Sequence, residues 1–118
     1  MAIFGKRKPT ESELEQALFA SVVAIKQNEK RLARPMSIGE IEGIVHTIFK
    51  RNKQKPAPDM MQMIVASAGI LDTESFAMDA VEWIDQHPNE PVPWLTWRPA
   101  MLAALKKHVD QVAKLNGE

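Results

Sequence analysis

Pro88, Pro91 and Pro93 stand close together near the end of the chain. Each fixes its φ and lacks a backbone N–H, so no helix runs through them. The residues before them are pushed toward extended geometry. The stretch His87–Ala100 holds four of the eight prolines and two of the three tryptophans, Trp94 and Trp97. Everything before it and after it reads as helix. A stiff connector carrying two large apolar rings either straps across a helical core or offers its rings to a partner.

At 118 residues the chain has the length of one domain. A chain this size buries roughly two thirds of its unfolded surface, enough for a core without staples. It has no cysteine, which excludes disulfides and thiolate metal sites and makes a reducing, cytoplasmic setting the expectation. No apolar run approaches the ~20 residues of a membrane span. The cations Lys6, Arg7 and Lys8 follow Ile3 and Phe4, the reverse of a signal peptide. Ala2, where myristoylation needs glycine, excludes that anchor. Net charge is zero but unevenly spread. Residues 1–55 carry eleven Lys/Arg against six Asp/Glu, and residues 56–118 carry four against nine.

Residues 1–9 read as a basic flexible tail and 10–118 as a single helical domain. Thr10-Glu11-Ser12-Glu13 has capping-box spacing, and Leu14, Leu18, Val22, Ile25 and Leu32 follow at helical intervals, predicting a helix over 11–32. Ser37-Ile38-Gly39-Glu40 repeats the grammar, with a stripe of Ile38, Ile41, Val45 and Ile48 widened by Ile44 and Phe49, ending near Asn52. A basic linker, 53–58, leads to a third helix capped by Asp59. That helix carries Met60, Met61 and Met63, is apolar nearly all round, and is expected to be the most buried element. Gly69 suits a left-handed stop for it. Asp72 or Thr73 caps a fourth helix, with Phe76, Ala80, Trp83 and Ile84 on one face. Thr96 caps a fifth, with Pro99 in its first turn and a stripe from Met101 through Leu102, Leu105, Val109 and Val112 to Ala113. The expectation is an all-α fold, a compact bundle of about five helices with a Pro/Trp-rich connector before the last.

Candidates for chemistry are few. His46, His87 and His108 fall on different helices or ends, and none has the i, i+4 partner of a helical zinc site. Glu42 and His46, one turn apart, read as an exposed ion pair. Asp79, Glu82 and Asp85 read as a solvated acidic face. There is no glycine-rich phosphate loop and no nucleophile elbow. No enzyme activity, cofactor or metal is expected. The segment Ala66–Ile70 faintly echoes a helix-turn-helix, but the helix after it carries Asp72, Glu74, Asp79, Glu82 and Asp85 with no cation. Phosphate would repel it.

The leading expectation is a small accessory protein that binds another macromolecule, in the first place a protein, with Trp94, Leu95 and Trp97 as the contact residues. The alternative is a nucleic-acid binder. An antiparallel hairpin of the first two helices would bring Lys50, Arg51, Lys53 and Lys55 to the same pole as Lys6, Arg7 and Lys8, a footprint for phosphates. A homodimer formed through the tryptophan connector is the second alternative.

Overall fold

The computed structural model describes residues 10–115 as five α-helices: α1 (Glu11–Leu32), α2 (Ile38–Arg51), α3 (Pro58–Leu71), α4 (Ser75–Gln86) and α5 (Trp94–Leu115). The fold is all-α, with helix making up 79% of the described residues. The expected tail, 1–9, and the Asn116–Gly117 stop lie outside the described residues.

Both capping boxes form. Thr10 Oγ1 accepts from Glu13 N at 3.1 Å while Thr10 N donates to Glu13 Oε1 at 2.9 Å. Ser37 and Glu40 repeat the exchange at 3.2 and 2.8 Å. Glu40 also receives both Nη atoms of Arg34 at 2.9 Å, which with the Ser37 bond holds its carboxyl at about 2, well below the usual range. This fork locks the α1–α2 turn, where Ala33 takes the left-handed conformation at φ 57°.

The most buried element is α1, and not α3 as expected. Ala17, Leu18, Phe19, Val22, Val23 and Ile25 are all buried, and α1 packs against each of the other four helices. The periodic stripe captured only one of its two buried sides; Phe19 and Val23 lie outside that reading. Ser21 is fully buried and donates its hydroxyl to Ala17 O at 2.8 Å, so this polar group is satisfied within its own helix. Two expected core residues stand at the edges instead, with Leu32 37% and Ile38 70% exposed.

The start and end of α3 differ from expectation. Ala57 occupies the N-cap position and Pro58 begins the helix, where a missing N–H costs nothing, while Asp59 lies in the first turn and caps nothing. The helix continues through Gly69 to Leu71. Burial of Leu71, 1% exposed, outweighs the ~1 kcal/mol a helical glycine costs. Ile41 Cδ1 of α2 lies 3.4 Å from where a Cβ of Gly69 would stand, which is ordinary packing distance at the α2–α3 crossing. Only Val65, Ala68 and Leu71 of α3 are buried; Met60 and Met63 face solvent.

Neither expected cap serves α4. Its N-cap is Glu74, without a side-chain bond. Thr73 Oγ1 donates to Ile70 O at 2.7 Å, closing the carboxyl end of α3. Asp72 is turned inward, 3% exposed, beside Glu29 of α1 with Lys26 nearby. Burial, then the hydrogen bond and charge of Glu29, push the Asp72 carboxyl up to about 7.

The sign of that shift makes a test. The folded state holds a proton that the unfolded chain releases near its ordinary value of 3.8. The stability contributed by the protonated form is therefore fullest below that value and drains away as pH rises to about 7. Asp72→Asn keeps a donor for Glu29 and removes the titration. It is expected to melt above the wild type at pH 8, with the gap narrowing steadily as pH falls to about 4. Thermal melts across that range check it; a gap that does not depend on pH contradicts it.

At the other end, α5 begins three residues earlier than Thr96 would set it. Thr96 N donates to Pro93 O at 2.8 Å, so Pro93 opens the helix, Trp94 is its first residue and Pro99 lies inside it. The apolar stripe is only partly used. Met101 is fully buried and Leu102 and Leu105 partly so, but Val109 is 56% and Val112 41% exposed, because the last turns have no helix opposite them. Among the described residues no helix is long and apolar enough to cross a membrane.

Candidate docking groove

Trp94 and Trp97 turn their rings onto the molecule. Trp97 stacks on Phe19 of α1 with centroids 6.0 Å apart and meets Trp83 of α4 edge-on at 6.1 Å. Trp94 also packs on Phe19, tilted, with centroids 6.4 Å apart. Arg98 fastens this start of α5 to α1, its Nε and Nη2 donating to the two carboxylate oxygens of Glu15 at 2.7 and 3.2 Å. Trp83 is in turn stacked on His87 at 4.2 Å, and His87 Nδ1 lies 2.8 Å from Trp83 O. A carbonyl only accepts, so Nδ1 carries the proton in this bond. Five rings thus lie in sequence across α1, α4 and α5. The connector is a strap, and of the three residues expected to meet a partner only Leu95, 65% exposed, points outward.

The acidic face of α4 is exposed, with Asp85 accepting from Lys30 Nζ at 2.8 Å. Glu42 and His46 do not pair; each stands separately on the wall of a groove. Among the described residues no group of three or more His, Asp or Glu is placed to hold a metal.

That groove, about 690 Å³, runs between α2 and α3. Its α2 wall is Glu42, His46 and Lys50, which recur about once per turn along one face, and Lys53 follows in the linker. Pro58, Met61, Gln62 and Val65 of α3 form the other wall, and Gln54, Lys55 and Pro56 close the end. Phe49 and Val65 lie at the floor, 0% and 7% exposed, with Met61 partly buried beside them. The α2–α3 linker is shaped by Lys53, whose φ of 58° is left-handed. There Lys53 N donates to Lys50 O and Gln54 N to Phe49 O, both at 2.9 Å. A lysine in that conformation is uncommon, and such backbone concentrates at ligand sites.

Two further properties mark the groove. Lys50, Arg51, Lys53 and Lys55 are exposed, and none forms an ion pair among the described residues, so the rim is positive with Glu42 as its one carboxylate. Gln54 reaches back to α1, its Nε2 donating to Glu13 O at 3.4 Å. Its Oε1 is buried with no hydrogen-bond partner among the described residues. An unmatched buried acceptor costs about 1–3 kcal/mol.

The Gln54–Glu13 contact brings the end of α2 to the start of α1, as an antiparallel hairpin requires. It therefore places Lys50, Arg51, Lys53 and Lys55 at one pole; Lys6, Arg7 and Lys8 lie outside the described residues. Sequence reasoning found these cations but missed the apolar floor beneath them. The available signal was the succession of Glu42, His46 and Lys50 on one face of α2, followed by Lys53 and Lys55 ahead of the Pro56–Pro58 bracket. Comparison with models of known families, with curated proteins and with solved structures gave no match to this chain.

Proposed function

We propose that this chain is a non-enzymatic interaction protein that works by docking another protein in the groove between α2 and α3. One observation carries the reading: an apolar floor and an unpaired basic rim meet at the same open surface. Interfaces of this kind combine a desolvated apolar centre with a polar rim that selects and steers the partner. The tryptophan connector supports it less, because its rings already pack on Phe19 and Trp83. The same packing removes the anchors a homodimer through the connector would use.

The nucleic-acid reading is favoured by the free cations Lys50, Arg51, Lys53 and Lys55. It predicts a gel shift that weakens steeply with salt.

Both readings meet in one comparison. Tagged wild-type chain is used to capture partners from its native cell beside the variant Lys50→Glu/Lys53→Glu/Lys55→Glu and the variant Leu95→Asp. All the altered residues are exposed, so the fold is expected to survive in each. Docking in the groove predicts that the triple variant loses its protein partner and Leu95→Asp keeps it. The opposite pattern would return the interface to the connector. Recovery of nucleic acid alone would favour the second reading.

A further inference from the structure

We infer that the occupant of the α2–α3 groove is an acidic amphipathic helix of about three turns, an inference that rests on the docking role proposed above. Length comes first. The helical wall extends from Glu42 to Lys50, about 12 Å at the rise of an α-helix, and Lys53 and Lys55 of the linker continue it, which matches a ligand of up to about three turns. Such a helix lays apolar residues at i, i+4 and i+7 into a groove of this sort. The apolar surface open to them is that of Met61, Pro56 and Pro58 above the buried Phe49 and Val65, and the unbranched side chain of Met61 suits an adaptable contact.

Charge selects the sign of the ligand. Lys50, Lys53 and Lys55 line the linker end of the groove against Glu42 alone, so carboxylates flanking the apolar stripe would meet cations at that end. Gln54 adds polarity at the closed end.

Other occupants fit less well. Single-stranded nucleic acid is held by bases stacking on open aromatic faces, but the groove's aromatic ring, Phe49, is 0% exposed. A second copy of this chain offers the acidic helix α4, yet its apolar residues Phe76, Ala77, Ala80 and Val81 are already buried within their own fold.

The test titrates the full chain with a synthetic capped peptide of about 14 residues, by calorimetry at low and physiological salt. The peptide has leucines at i, i+4 and i+7 and glutamates on its other faces. Controls are the same composition scrambled, the same pattern with lysine for glutamate, and a single-stranded oligonucleotide of similar length. The expected result is saturable binding of the patterned acidic peptide, at least tenfold weaker for both the scrambled and the lysine peptides. Lys50→Glu/Lys53→Glu/Lys55→Glu is expected to weaken it at least tenfold, as is Met61→Glu, each checked for an unchanged helical spectrum. Equal binding of the scrambled peptide, tighter binding of the oligonucleotide, or no binding at low salt overturns the inference. If the peptide fails while cellular capture still depends on the three lysines, the acidic helix is wrong and the groove stands as a docking site. If capture is also indifferent to them, both fall.

Discussion

Ile41→Asp is expected to leave the chain without a cooperative melting transition. Ile41 is 6% exposed on the inner face of α2, and its Cδ1 lies against Gly69 where α2 crosses α3. The introduced carboxylate would find no cation in that crossing and would have to be buried or force the two helices apart. An isolated charge in such surroundings is not tolerated, and even its protonated form leaves polar atoms unmatched. Domains of this size are stable by only about 5–15 kcal/mol, so one such defect is a large share of the whole. Circular dichroism during heating checks the outcome. A sharp transition near that of the wild type would mean that the α2–α3 crossing is not part of the core, and the groove built on it would lose its floor.

The second large effect concerns the ring cluster. Trp97→Ala removes the ring stacked on Phe19 and edge-on to Trp83, leaving a space between α1, α4 and α5. Emptying a large aromatic site costs roughly 3–5 kcal/mol. Trp97 is only partly buried, which places the expected loss at the lower end, about 3 kcal/mol. Leu95→Asp, two residues away on the exposed side, is expected to change stability by no more than about 0.5 kcal/mol. Urea unfolding with the slope unchanged between variants measures both. Equal losses would mean that the connector's outer side is also packed.

How far the fold could be read from the residues depended on the reach of each signal. Thr10–Glu13 and Ser37–Glu40 are complete within one turn, and α1 and α2 begin where those boxes place them. The α3–α4 junction was illegible for the opposite reason. Asp72 looks like a cap by every local rule, but Glu29 of α1, remote in sequence, holds it in the interior. Thr96 lost the start of α5 to Pro93 because Arg98–Glu15 and the rings on Phe19 anchor the earlier turn. Val109 and Val112 show a different limit: periodicity gives a face but not whether a helix lies opposite it.

The site follows the same division. The lysines of the α2–α3 linker were visible as charge, and their polarity along the chain was correctly a clue to a pole. Their relation to Phe49, Met61 and Val65 was not visible, since it arises from the pairing of two helices and from the left-handed turn at Lys53. The two tryptophans were open to two readings for a physical reason. A large ring beside proline fits an interface and a strap equally well, and only the presence of Phe19 and Trp83 decides between them.

In-cell photo-crosslinking distinguishes a partner seated in the α2–α3 groove from one seated on the tryptophan connector. A photo-reactive phenylalanine analogue replaces Gln62, exposed on the groove wall, or Leu95, exposed on the connector. On irradiation the account predicts a covalent adduct with another protein from the Gln62 position and none from the Leu95 position. An adduct from Leu95 with none from Gln62 would contradict it.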